Sequence, residues 1–105
     1  MIRTGEIRWF RFEHPDKRRP VLVVCRTQLI SSLSLLPVIP LSTQVRNLPS
    51  EVQLTPEDGM PEVCVLKPEW IRAVERERIG PLITALPEHR WPDVRRAVLY
   101  TLGFE

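Results

Sequence analysis

The sequence has few residues of the kinds that build metal centres or disulfide frameworks. Its 105 residues include two cysteines, two histidines and four glycines. No group of His, Cys, Asp or Glu has metal-ligand spacing, and no glycine-rich phosphate loop is present, so we expect no metal site and no cofactor. Cys25 and Cys64 each lie inside an apolar stretch, which predicts buried free thiols and gives no reason for a disulfide.

Long apolar runs are also missing. No stretch approaches the roughly 20 apolar residues that span a bilayer. Residues 1–12 are charged and aromatic and lack the apolar centre of a signal peptide. We therefore expect a cytoplasmic protein without membrane contact. The length and a hydrophobic content of 43% predict a single domain, residues 1–105, with a packed core.

The charge balance is nearly even. A net charge of +2 does not by itself require a nucleic-acid partner. Residues 1–26, however, contain seven basic and three acidic side chains, and the basic ones are densest at Lys17-Arg18-Arg19. This cluster is either a solvated basic turn or a phosphate-binding patch.

Eleven prolines and many short apolar runs are typical of a small all-β domain. Pro37 and Pro40 interrupt one of these runs and predict that its strand is an edge strand or carries a bulge. Pro68 interrupts another run, which forms one long strand or two short ones. The predicted strands cover residues 5–13, 20–25, 33–41, 51–54, 63–74 and 79–86.

In the C-terminal segment the spacing of the apolar residues changes from that of strands to that of a helix. Apolar residues from Trp91 to Leu102 recur at steps of three and four, which predicts a helix that begins near Pro92 after a turn at residues 87–90. Gly103 stands where such a helix would end. The sequence thus indicates a mainly β fold of about six strands that closes into a small barrel, with one helix covering an end or a face.

The first predicted strand carries aromatic residues between arginines. Alternation places Phe10 and Phe12 on one face and Ile7 and Trp9 on the other. We expect Phe10 and Phe12 in the core. The alternative is that aromatic side chains of this strand stack on nucleobases beside the arginines.

Several segments occur in an order that carries a family resemblance. They are Gly5-Glu6-Ile7-Arg8-Trp9, Arg19-Pro20 with the apolar run to Val24, Val38-Ile39-Pro40-Leu41-Ser42-Thr43, Ile71-Arg72-Ala73-Val74, Arg78-Ile79-Gly80 and the closing Leu102-Gly103. Together they span nearly the whole chain. In this order the chain resembles the MazF/PemK family of toxin endoribonucleases.

The resemblance implies a compact SH3-like β-barrel of the CcdB/MazF/PemK type with a C-terminal α-helix, assembled as a homodimer. It implies cleavage of single-stranded RNA, in particular mRNA, at short sequences and without a metal or cofactor, which leaves a 2′,3′-cyclic phosphate and a 5′-hydroxyl. It also implies a cognate MazE-like antitoxin that neutralises the toxin, and contact with DNA only through the antitoxin complex.

Two catalytic positions follow from the match. Arg19 occupies the family's catalytic arginine position, and a guanidinium is well suited to a phosphorane-like charge because its planar fork donates to two phosphate oxygens. Ser42 occupies the position of the family's catalytic hydroxyl, where threonine is more usual, and Thr43 would replace it if the register moves by one residue. The alternative role for Ser42 is to bond the turn that follows the strand.

The chain departs from the family at two points. Its first loop is shorter and lacks a glycine-serine-glutamate segment, so the proton-transfer partner is open, with His14 and Glu13 as candidates. A glutamine of the family is replaced by Trp70. The residues expected to bind RNA are Arg8, Lys17, Arg18, Gln44, Trp70 and Arg72.

Two other functions remain open at this point. One is a non-catalytic toxin that resembles CcdB and binds DNA gyrase through its C-terminal helix. The other is an RNA-binding module that has lost activity, for which the short first loop is the argument. The Arg-Pro and proline–aliphatic–hydroxyl segments favour the nuclease over the gyrase-binding toxin.

Overall fold

The computed structural model describes residues 1–13 and 18–105. In that part of the chain most of the regular structure is strand. The strands are β1 Glu6–Arg11, β2 Arg18–Val23, β3 Leu35–Ser42, β4 Val52–Leu54, β5 Cys64–Leu66, β6 Arg72–Glu75 and β7 Ile79–Ala85. The helices are α1 Thr27–Ile30 and α2 Trp91–Leu102, and short 3-10 turns cover Pro56–Asp58, Pro68–Trp70, Arg76–Arg78 and Glu88–Arg90.

The strands form one curled antiparallel sheet in the order β4-β5-β3-β2-β1-β7, and β6 pairs with β3 beside this path. Every pairing in the described part of the chain is antiparallel. The predicted fold class, a small mainly β barrel with a C-terminal α-helix, is confirmed. The long run after Met60 forms two strands, β5 and β6, separated by the turn Pro68–Trp70.

The curled sheet buries two apolar clusters. One contains Ile7 and lies under α2, which contributes Val94 and Ala97. The other contains Phe10 and Phe12, so the prediction that these two phenylalanines belong to the core is confirmed. β1 supplies both clusters because side chains alternate along a strand, which places Ile7 on one face of the sheet and Phe10 and Phe12 on the other.

The prediction that the strand with Pro37 and Pro40 is an edge strand or bulged is wrong. β3 is central, because β2 pairs with it on one side while β5 and β6 share the other. Each proline still serves as an acceptor: the carbonyl of Pro37 accepts from the Val24 N–H, and that of Pro40 accepts from the Lys67 N–H. Neither proline can return the reciprocal bond. The loss falls next to the ends of two ladders, since Pro37 precedes the Val38–Val23 pair and Pro40 precedes the Leu41–Leu66 pair.

The C-terminal helix follows its prediction closely. A 3-10 turn precedes it, Pro92 lies in its first turn, and Gly103 ends it in the left-handed conformation with φ +79°. The four-residue helix α1 was not predicted from the sequence. None of the helices in residues 1–13 and 18–105 has both the length and the apolar character to cross a membrane.

Candidate functional site

A groove of about 420 Å³ lies where the start of β2 meets the end of β3. Arg19 is near the start of β2 and Ser42 is the last residue of β3. Val21 of β2 is paired with Pro40 of β3. Arg19 is two residues before Val21, and Ser42 is two residues after Pro40. Alternation along the strands therefore puts Arg19 and Ser42 on the same face of the sheet. Both side chains line the groove, together with Thr43.

Ser42 bonds the turn that follows it. Its Oγ accepts a hydrogen bond from the Gln44 N–H at 3.1 Å, which is the structural role considered for it from the sequence. A hydroxyl that accepts one hydrogen bond still carries a proton to donate. The turn therefore orients Ser42 without using up its donor.

Arg18 and Trp9 form one wall of the same groove. The Arg18 guanidinium lies over the Trp9 ring, 4.2 Å from the ring centroid. Both residues line the groove next to Arg19. A cation held on an aromatic face keeps its hydrogen-bond donors available at the edges, so this wall combines a positive charge with a flat apolar surface.

A second groove, with a volume of about 640 Å³, begins on the other side of Arg19. Its lining includes Trp70 and Arg72. The Arg19 guanidinium lies 5.4 Å from the Trp70 centroid, and that of Arg72 lies 5.1 Å from the centroid of Phe12. Arg19 thus lines both grooves, and the second is lined by two arginines and by the exposed side chain of Trp70.

A buried lysine supports the wall of the second groove. Lys67 is only 2% exposed, and its Nζ lies 2.8 Å from Glu51 Oε2 and 3.1 Å from Glu69 Oε2. The same nitrogen is 5.2 Å from the centroid of the Trp70 ring. Glu51 also accepts from the N–H groups of Arg46 and Asn47. Lys67 therefore connects the loop after Ser42 to the turn that carries Trp70.

The pKa values of this pair show how the charges are held. Burial alone would lower the pKa of Lys67, but hydrogen bonds to Glu51 and Glu69 and the attraction of both carboxylates raise it overall. Burial would likewise raise the pKa of Glu51, yet the hydrogen bonds from Lys67 and Arg46 lower it overall. Both groups are thus stabilised in their charged forms.

Cys64 also lines the Arg19 groove. Burial, together with the negative charges of Glu62 and Asp58, raises the pKa of its thiol to about 11. Cys64 and Cys25 are both buried and free, as the sequence predicted. A thiol with so high a pKa stays protonated near neutral pH, which makes Cys64 a poor nucleophile and a poor base.

The structure places three other predicted site residues elsewhere. Arg8 pairs with Glu6 at 2.8 Å and donates to the Gly80 carbonyl, joining β1 to β7. Glu13 lines a third groove, where its Oε2 lies 4.0 Å from Arg78 Nη1. Gln44 is exposed on the turn after Ser42 and lines none of the three grooves. His14 and Lys17 lie outside the described residues.

Two residues that were not predicted from the sequence to belong to the site lie at or near it in the structure. Lys67 is buried, although its only signal in the sequence is a charge inside an apolar run. Glu62 lines the groove that also contains Arg19 and Ser42. Across residues 1–13 and 18–105, no group of three or more His, Cys, Asp or Glu side chains is arranged to hold a metal ion.

Several solved structures share this fold. The chain superposes on the Mycobacterium tuberculosis toxin MazF-mt6 with a TM-score of 0.87 and 24% identity, covering 95% of this chain and 98% of that one. The superposition on a mycobacterial endoribonuclease in complex with its cognate antitoxin has a TM-score of 0.87 and 15% identity, and it covers 100% of this chain and 98% of that one. The superposition on a MazE-MazF structure from Deinococcus radiodurans has a TM-score of 0.83 and 22% identity, and it covers 99% of this chain and 98% of that one.

These likenesses define the fold as that of MazF toxins. No curated protein sequence matches the chain. Residues 3–102 match the family described as the PemK-like, MazF-like toxin of type II toxin-antitoxin systems. The chain therefore belongs to the PemK/MazF toxin family, as its sequence motifs indicated.

Proposed function

We propose that this toxin is a metal-independent endoribonuclease that cleaves single-stranded RNA at the groove lined by Arg19 and Ser42. The observation that carries the proposal is that both residues, matched to catalytic positions of the family from sequence, line one groove. Membership of the PemK/MazF toxin family supports it, as does the likeness in fold to structures described as endoribonucleases. The same membership favours this activity over gyrase binding.

Cleavage without a metal uses the 2′-hydroxyl of the substrate as nucleophile. That oxygen attacks the adjacent phosphorus, the bond to the 5′-oxygen breaks, and the products are a 2′,3′-cyclic phosphate and a 5′-hydroxyl. Negative charge builds up on the non-bridging oxygens in the transition state. Arg19 would neutralise this charge through a two-pronged hydrogen bond, and Ser42 would donate a further hydrogen bond to the same phosphate.

The two grooves on either side of Arg19 would take the nucleotides flanking the cleaved bond. With the scissile phosphate at Arg19, one neighbour would enter the groove with Trp9 and Arg18, and the other the groove with Trp70 and Arg72. Trp70 is 42% exposed, which leaves ring surface on which a base can stack. Stacking on such a ring tolerates any base, so specificity would come from polar groups of the groove walls.

The partners proposed for this chain follow from its family. We propose a homodimer that is neutralised by a cognate MazE-like antitoxin and reaches DNA only in that complex. The mycobacterial and Deinococcus structures that share this fold are described as toxin–antitoxin complexes. If mRNA is the substrate, the toxin acts in the cytoplasm.

The decisive experiment compares the parent protein with Arg19→Ala on a long single-stranded RNA in the presence of a chelator. We expect the parent to cut at defined sites and leave cyclic-phosphate and 5′-hydroxyl ends. We expect Arg19→Ala to cut about 100- to 1000-fold more slowly, the usual cost of losing one donor to a developing oxyanion.

Arg95→Ala is the matched control, because Arg95 is an exposed arginine on α2 that lines none of the three grooves. It should cut at the parent rate. RNA that is bound by the parent yet left intact would point to an inactive RNA-binding module. An Arg19→Ala variant as fast as the parent would contradict the site.

A further inference from the structure

The groove around Arg19 and Ser42 contains one acidic side chain among the described residues that line it, that of Glu62. Transesterification of RNA requires a group that removes the proton of the 2′-hydroxyl as it attacks. Glu13, one candidate from the sequence, lines a different groove. Cys64 lines the same groove, but its raised pKa keeps it protonated near neutral pH.

The fold brings Glu62 to this groove through the pairing of β5 with β3. Ser42 is paired with Val65, and because the strands are antiparallel, the residues before Cys64 run alongside those after Ser42. Glu62 is two residues before Cys64. It is exposed, so its carboxylate is accessible to a substrate bound in the groove.

The backbone leading to Glu62 is held in place. Thr55 caps the 3-10 turn Pro56–Asp58, its N–H donates to Asp58, and Gly59 ends the turn in the left-handed conformation. Asp58 Oδ1 lies 3.6 Å from the Arg90 guanidinium just before α2. Fixed supporting residues of this kind are what a catalytic side chain needs to stay in position.

We propose that Glu62 is the general base of the cleavage reaction, in place of the acidic residue that the short first loop lacks. Its carboxylate accepts the 2′-hydroxyl proton while the 2′-oxygen bonds to phosphorus. The P–O5′ bond breaks, and the departing 5′-oxygen takes a proton from solvent. Arg19 neutralises the non-bridging oxygens throughout. This inference rests on the proposed function.

The test is Glu62→Gln, which keeps the shape and removes the base. We expect kcat to fall about 100- to 10,000-fold, the usual contribution of a positioned base, with KM within about twofold of the parent because a base that acts in the chemical step adds little to ground-state binding. The parent kcat should rise with pH on the acidic side of its pH profile, and this acidic limb should be missing in Glu62→Gln. Glu57→Gln, an exposed carboxylate on the neighbouring turn, is the matched control and should behave like the parent.

A substrate with sulfur at the 5′-bridging position separates the two proton-transfer roles, since a thiolate leaves without an acid. The loss in Glu62→Gln should persist on this substrate. Restored cleavage would make Glu62 the acid and overturn its assignment as base. Parent-like cleavage by Glu62→Gln would also overturn it, and an inactive His14→Gln would then favour His14 as the base. A parent that leaves RNA intact overturns the proposed function itself, and the role of Glu62 with it.

Discussion

Among single residues, Arg19 matters most for the candidate site, because its side chain lines both grooves. Its guanidinium also lies 5.4 Å from the centroid of the Trp70 ring. The proline after it restricts its backbone at the start of β2. A side chain with one fixed end and a planar charged head can contact a phosphate held between two neighbouring nucleotides.

Cys64 shows how a residue can line the candidate site without reacting there. With a pKa of about 11, only about one thousandth of its thiol is ionised at pH 8. We expect alkylation of Cys64 by iodoacetamide to be about 100-fold slower than that of an ordinary exposed cysteine, and to accelerate up to about pH 11. Mass spectrometry of alkylated peptides over a pH series measures both rates.

Cys64→Ala is the companion variant. It should retain the cleavage rate of the parent, because the thiol has no part in the proposed chemistry. Rapid labelling at pH 8, or loss of cleavage in Cys64→Ala without loss of folding, would show that the thiol is a reactive member of the site.

The sequence could indicate Arg19 and Ser42 because both are embedded in local segments, Arg-Pro before an apolar run and proline–aliphatic–hydroxyl at a strand end. Glu62 and Lys67 have no such local mark. Glu62 follows Met60 and Pro61 in what the sequence presents as an ordinary turn. Its place in the same groove as Arg19 depends on strand pairing.

At the level of elements, the turn Pro68–Trp70 and the loop after β3 are held together by one buried ion pair. Lys67 contacts Glu51 and Glu69, and its N–H donates to the Pro40 carbonyl in the central strand. The contacts with Glu51 and Pro40 join segments that are far apart in the sequence. The loop and the turn therefore depend on each other for their positions.

Glu51→Gln tests this dependence. The change leaves Lys67 buried with Glu69 as its remaining carboxylate, so we expect the free energy of unfolding to fall by about 3 kcal/mol, the lower end for breaking a buried ion pair. Urea unfolding followed by circular dichroism measures the change. Glu88→Gln, an exposed carboxylate before α2, should stay within about 0.5 kcal/mol of the parent. A Glu51→Gln loss below about 1 kcal/mol would contradict a structural role for the pair.

The strands were predictable where their apolar runs are short and bounded by turn residues, and α2 was predictable from its period. The position of β3 was not. Pro37 and Pro40 suggest an edge strand when the chain is considered alone, because a proline lacks the N–H of a central strand. Only the pairings of β3 with β2, β5 and β6 show that the strand is central and that both prolines take part through their carbonyls.

For the whole molecule, the same ion pair predicts the pH range of stability. Glu51 has a lowered pKa in the folded state, so its contribution is complete above its ordinary value of 4.5 and is lost as the pH falls through the folded value. Lys67 has a raised pKa, so its contribution is complete below its ordinary value of 10.5 and is lost as the pH rises through the folded value.

We therefore expect the free energy of unfolding to be level between these limits and to decrease below about pH 4.5 and above about pH 10.5. Denaturant unfolding at a series of pH values measures the profile. In Glu51→Gln the acidic decrease should be shallower than in the parent, because the group that titrates is gone. Parallel profiles for the two proteins would show that Glu51 contributes nothing to the pH dependence.

The amino-acid sequence by itself determined what short-range pattern can specify: strands bounded by turns, a C-terminal helix that ends at Gly103, core positions for Phe10 and Phe12, and family motifs around Arg19 and Ser42. The tertiary structure alone decided that β3 is central, that Lys67 is buried between two carboxylates, and that Glu62 lies in the groove with Arg19. The reason is physical: period and turn chemistry act between neighbours in the chain, whereas burial and electrostatic environment are set by segments that meet only when the sheet curls.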